Sequence, residues 1–135
     1  MKLNKTSNTE KITININIVD LGYIDLLVNE GHYSSRTEFI KTAIKRQLEY
    51  EDDSVKMSVR KKIERGSRVE IGVGGFTREE LETLNKENKK IKVIFVGYFS
   101  LPDDIDVELL EKTVESIKVF GICKCKKEIK EKYNL

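Results

Sequence analysis

Residues 11–50 read KITININIVDLGYIDLLVNEGHYSSRTEFIKTAIKRQLEY, and the fold turns on how they are read. Ile12, Ile14, Ile16 and Ile18 alternate with Thr13, Asn15 and Asn17, the period of a strand that buries one face and shows the other. A lone strand cannot hide four isoleucines. The pattern then switches to a helical period twice, so no second strand follows nearby to pair with the first. The same strand of another copy is the expected partner.

Ser35, Arg36, Thr37 and Glu38 have the spacing of a capping box, in which a hydroxyl satisfies an orphan first-turn amide and the glutamate reaches back. Ser34 or Ser35 is therefore expected to open the second helix. Phe39, Ile40, Ala43, Ile44 and Leu48 follow on one face, with Lys41, Lys45, Arg46 and Glu49 on the other. The first helix is shorter. Asp20 is the expected cap, Tyr23 or Ile24 with Leu26, Leu27 and Val28 give the apolar side, and Gly31 is placed to end it in a left-handed conformation.

Strand, short helix, glycine-containing turn, capped helix: ITININI and GHYSSRTEFI in this order resemble the ribbon-helix-helix family of DNA-binding proteins, which includes the Arc, methionine and CopG-type repressors. The resemblance covers roughly the first fifty residues. It implies an intertwined homodimer in which two strands form an antiparallel ribbon that enters the major groove of double-stranded DNA. Carried over, it makes Thr13, Asn15 and Asn17 the base readers, with Lys11 at the ribbon's end as a phosphate contact. Asparagine matches the N6/N7 edge of adenine, and threonine can hydrogen-bond a base or touch a thymine methyl. A phosphate is expected at the start of the second helix, where amides at Ser34, Ser35 and Arg36 and the positive helix end favour an anion. Taken alone, the strand reads equally as an ordinary one with polar residues facing water.

The chain has 135 residues, 39% hydrophobic and 36% charged, with a formal net charge of +2. That is globular and highly charged, with no overall basic excess to indicate nucleic acid, so a DNA-binding case rests on local placement. No apolar run approaches membrane-spanning length, and the first ten residues are polar, so a soluble cytoplasmic protein without membrane contact is expected. Residues 1–10, with Lys2 and Lys5, read as a flexible arm. Residues 51–68 read as a basic helical linker: Val55, Val59 and Ile63 recur every four residues, with Asp53 or Ser54 as cap and Gly66 as stop. Lys56, Arg60, Lys61, Lys62, Arg65 and Arg68 stand there against Glu64, as a face for flanking DNA or a solvated helix face.

Residues 69–135 contain an internal repeat with a period of 24: VEIGVGGFTREEL from Val69, VIFVGYFSLPDDI from Val93 and IKVFGICKCKKEI from Ile117. Each unit opens on a β-rich run, turns at small residues and reaches an apolar anchor, Leu81, Ile105 or Ile129. This is similar in architecture to short strand-helix solenoids of the leucine-rich-repeat kind, with parallel strands side by side. Pro102 is placed to start a helix with Asp103 and Asp104. The expected class is α+β: a β-α-α module at 11–50, the linker, and a small α/β repeat domain.

Cys123 and Cys125 are too few for a closed zinc site, and His32 lies elsewhere, so neither a metal nor a cofactor is expected. Val73-Gly74-Gly75 lacks the dinucleotide fingerprint and the phosphate-loop lysine, and no catalytic residues stand out. The sequence thus points to a transcriptional regulator, a repressor acting by occlusion, with higher oligomers available through the C-terminal domain. Its rivals are an antitoxin and a dimeric interaction protein that does not bind DNA.

Overall fold

The computed structural model describes residues 9–135; the expected arm, with Lys2 and Lys5, falls almost wholly outside them. The described residues hold six helices and three parallel strands, and the chain divides into a unit ending at Met57 and one running from Ser58 to Leu135.

In the first unit, α1 spans Ile18–Asn29 and α2 spans Arg36–Tyr50. Gly31 ends α1 as expected, at φ 82°. The Gly31 amide donates to the Val28 carbonyl and the His32 amide to that of Leu27, a Schellman motif that satisfies two last-turn carbonyls. Tyr33 and Phe39 meet edge to face across the turn, centroids 5.0 Å apart. The strand expected from Ile12 to Ile18 takes a different form in the single chain. Residues 9–17 have no hydrogen-bonded ladder, and Ile18 already belongs to α1, because a ladder needs a partner and the Asn17 side chain starts a helix in its place.

Ile24 is the one buried hydrophobic side chain among residues 9–57. Ile12 and Ile14 are 73% and 65% exposed, and Tyr23, Leu26, Ile40, Ile44 and Leu48 are exposed as well. A module of this kind has almost no core of its own.

Helix α3, Asp52–Glu64, follows α2 after Glu51 alone. It starts earlier than the expected cap at Asp53 or Ser54, because the Glu51 carbonyl accepts from the Val55 amide at 3.0 Å. Gly66, at φ 90°, stops it.

The second unit alternates strand and helix: β1 Ser67–Gly74, α4 Arg78–Lys86, β2 Ile91–Ser100, α5 Val107–Thr113, β3 Val114–Lys124, α6 Lys127–Tyr133. The strands lie in the order β1-β2-β3, all parallel. Val93, Phe95 and Phe99 of β2 and Ile117 of β3 pack with Leu81, Leu109, Leu110 and Ile129 from the three helices, so the helices cover one face of the sheet. The anchors Leu81, Ile105 and Ile129 are all fully buried. Thr77 and Glu80 complete a capping box on α4. Pro102 does not start a helix. It sits in a turn closed by the Ile105 amide on its carbonyl, and α5 begins only at Val107, capped by Asp106.

The constant period of 24 is corrected at the first unit. Strand β2 pairs with β3 at that offset, Val93 with Ile117, but β1 pairs with β2 one residue further on, Val69 with Ile94. Glycine sets this register. Gly72, Gly97 and Gly121 stand opposite one another, all at φ between 122° and 132°. A Cβ on Gly97 would lie 2.1 Å from the Gly72 carbonyl oxygen, and one on Gly121 would lie 2.1 Å from that of Gly97. The strand backbones close on each other where any side chain would intrude. One consequence is that Arg68 belongs to β1 and not to the linker helix; it pairs with Glu70 at 2.6 Å and stands over the Phe76 ring.

Near the C-terminus the Tyr133 hydroxyl donates to the Val114 carbonyl at 2.7 Å, and burial, with Glu111 nearby, pushes its pKa up to about 12.

Two predictions follow from this packing. Gly72→Ala is expected to cost about 1–3 kcal/mol for its backbone conformation alone. Gly97→Ala and Gly121→Ala add a backbone collision and should exceed about 4 kcal/mol, read as the denaturant midpoint of the second unit. Equal costs at Gly72 and Gly97 would show that the column does not set the register. Because folding raises the Tyr133 pKa, its contribution is complete below pH 10 and is lost as pH rises towards 12. Alkaline titration followed by circular dichroism should therefore show a loss in that window that Tyr133→Phe reduces.

Candidate nucleic-acid interface

The expected base readers precede α1. Thr13 and Asn15 are exposed, as is Lys11, and among the described residues no hydrogen bond engages the Thr13 or Asn15 side chain. Asn17 is different. It is the N-cap of α1 at φ −60°, ψ 137°, and its Oδ1 accepts from the amides of Val19 at 2.8 Å and Asp20 at 3.4 Å. Asp20, the expected cap, lies instead in the first turn, where a carboxylate complements the positive helix end. Asn17 thus has its acceptor engaged within its own chain, which leaves the side-chain NH2 as its available donor.

Apart from Lys11, which precedes α1, the expected phosphate residues meet at the start of α2. Ser35 is the N-cap, its Oγ accepting from the Glu38 amide at 3.1 Å. Glu38 reaches back one residue further than a capping box requires and accepts from the Ser34 amide. Hydrogen bonding from Ser34 holds the Glu38 carboxyl below its ordinary range. The Ser34 amide, expected to be open to an anion, is therefore occupied by a carboxylate of the same chain. Such a carboxylate stands where a phosphate oxygen would, since both seek the helix N-terminus.

Arg36 is also engaged. Its Nε and Nη2 each donate to one Asp25 carboxylate oxygen at 2.7 Å, the two-pronged geometry of the strongest guanidinium pairs. The hydrogen bond lowers the Asp25 pKa and raises that of Arg36. Both side chains are about half exposed, so the pair fixes the α1–α2 turn more than it adds stability.

Sequence reasoning missed the neighbours of this terminus. Ser35, Thr37, Glu38, Lys41, Thr42 and Lys45 line a concavity of about 390 Å³ along the first turns of α2. The signal was present in the four-residue spacing of Thr37, Lys41 and Lys45, of which Lys41 and Lys45 were read above only as a polar face. The Asp25–Arg36 pair had no local signal, since it joins two helices across the turn.

Of the linker charges, Lys56 pairs with Asp52 at 2.8 Å and Arg68 is held in the sheet. Arg60, Lys61 and Arg65 stay exposed. Among the described residues no group of three or more His, Cys, Asp or Glu is placed to hold a metal. Cys123 and Cys125 lie with sulfurs 3.6 Å apart, and burial, then the Cys123 neighbour, pushes the Cys125 thiol up to about 11. That keeps it protonated and unreactive near neutral pH. The Val73-Gly74-Gly75 run has a packing explanation: a Cβ on Gly75 would fall 1.7 Å from the Ser100 carbonyl oxygen. No helix among the described residues is long and apolar enough to cross a membrane.

A family model described as the Ribbon-Helix-Helix transcriptional regulator family matches residues 7–130, which takes in both units. No curated protein and no solved structure matches the chain significantly.

The cap makes Asn17 separable from its neighbours. Asn17→Ala is expected to lower stability by about 1 kcal/mol, whereas Asn17→Ser, which keeps an acceptor, should cost only a few tenths. Thermal melts of the two variants check this. Equal losses would mean the amide, not the cap, is what stability needs.

Proposed function

We propose that this chain, which belongs to the Ribbon-Helix-Helix transcriptional regulator family, acts as a homodimeric, sequence-specific DNA-binding repressor. The observation that carries the dimer is the single buried side chain of residues 9–57 beside a row of exposed isoleucines. Pairing residues 11–17 of two copies in an antiparallel ribbon supplies the missing ladder and turns Ile12, Ile14 and Ile16 onto the helices beneath. Burial at about 1.5–3 kcal/mol per side chain makes the six isoleucines worth on the order of 10 kcal/mol per dimer.

The opposite face of the ribbon then presents Thr13 and Asn15 to the major groove, with Lys11 at its end. Asn17 contributes through its NH2 while its oxygen starts α1. The α2 N-terminus holds a phosphate through Ser35 and the first-turn amides, with Lys41 and Lys45 alongside. Glu38 and Asp25 occupy Ser34 and Arg36 in the free chain, so DNA must displace them to recruit those two groups. Repression is by occlusion, dimers on adjacent half-sites excluding other proteins. The second unit has a fully buried core of its own, which weighs against the antitoxin reading, since such tails order only on binding.

Selection of bound sequences from random duplex DNA, with a salt titration of the winner, tests this reading. A short motif in repeated half-sites is expected. Asn15→Ala should relax the preference and cost about 1–3 kcal/mol per lost bidentate contact, while Ser35→Ala weakens all sequences alike. Asp25→Asn frees Arg36 and should tighten binding to every sequence, steepening the salt slope by about one. Binding with no motif and no response to Asn15→Ala would exclude the ribbon as a reader.

A further inference from the structure

Helices α4, α5 and α6 cover one face of the parallel sheet, and no element of that unit covers the other. The one-residue offset of β1 decides what stands there. Val69, Ile94 and Lys118 share a row; the next is Ile71, Val96 and Phe120, and the next Val73, Tyr98 and Ile122. Eight of these nine side chains are apolar or aromatic, and the last two rows carry no charge. Ile71 and Val73 are 70% and 60% exposed. On the core side β1 offers instead Arg68 and Glu70, opposite Val93 and Phe95. The strand thus turns its aliphatic residues away from its own core.

We propose that this open sheet face is a contact with a second copy of the chain, sheet stacked on sheet about a two-fold axis; the proposal rests on the ribbon dimer above. Parallel sheets are almost always covered on both faces, and stacked sheets sit about 10 Å apart with their side chains interleaved. Lys92, Lys118 and Lys124 frame the patch, an apolar centre with a charged rim, as protein interfaces have. A phosphate backbone finds nothing to hold in its two middle rows.

Area identifies which copy. Three strands of about eight residues cover roughly 400 Å² per chain, half of the approximately 800 Å² per partner of a standard stable interface. Such a patch is too small to bring free chains together tightly. It suffices between two chains already joined by the ribbon, where the effective concentration reaches the order of millimolar. The occupant is therefore the copy held on the same ribbon, the one partner always present at that concentration.

The test uses the full chain with Cys123→Ser and Cys125→Ser, carrying Val96→Cys at the centre of the face or, as a control, Glu128→Cys on α6. A bismaleimide with a span of about 10 Å matches the stacking distance. The Val96→Cys protein should give a covalent dimer at least about tenfold above the control, with a yield that does not fall on dilution, as an intramolecular reaction requires. Adding Val73→Asp and Phe120→Asp, both at exposed positions, should abolish the crosslink while circular dichroism and the dimer mass by light scattering stay unchanged. A dimer mass with no crosslink above control overturns the sheet contact alone. A yield that falls in proportion to dilution overturns pairing within one dimer. A single-chain mass overturns the ribbon dimer, and with it this pairing.

Discussion

Apolar surface that one chain cannot bury governs this molecule. In the first unit the isoleucines before α1 and most apolar side chains of α1 and α2 stand exposed or half-exposed around one buried residue, Ile24. Hydrophobic burial is the main favourable term of folding, so a unit that keeps its apolar side chains in water lacks the force to hold its helices together. The capping of Asn17, Gly31 and Ser35 and the Asp25–Arg36 pair shape the helices locally. They do not replace a core. A ribbon of residues 11–17 would exist only when two chains make it.

The second unit solves the same problem by stacking. Each strand hands its chain to a helix or turn whose anchor, Leu81, Ile105 or Ile129, is driven into one shared core. The close approach at Gly72, Gly97 and Gly121 holds the strands in line. Their cost is conformational: three residues take a backbone geometry open almost only to glycine. The unit covers its sheet on one face and leaves the other apolar, so both halves of the chain present surfaces that an additional chain would complete.

Ions play a supporting part throughout. The Arg36–Asp25 and Ser34–Glu38 contacts place acidic groups at the α2 terminus in the free protein. The Ser34 amide at this terminus already holds an anion, the Glu38 carboxylate. On the proposed reading, DNA would compete with Glu38 for the Ser34 amide and with Asp25 for the Arg36 guanidinium, so affinity would respond to these two carboxylates as well as to the basic residues.

Much was legible in the sequence because it depends on neighbours along the chain. The start of α2 at Ser35, the glycine stops at Gly31 and Gly66, the strand-helix order of residues 69–135 and the three buried anchors all follow from spacing. Other features were decided only by the tertiary structure. Asn17 took the cap from Asp20 because an extended residue directly ahead of the helix can reach its first amides. The β1 register slipped by one because glycines had to face glycines across the sheet, and that slip reversed which side chains of β1 meet the core. Asp25 found Arg36, and Glu38 found Ser34, through the geometry of a turn. Local chemistry is written in consecutive residues, whereas register and pairing depend on atoms that meet only once the backbone has folded.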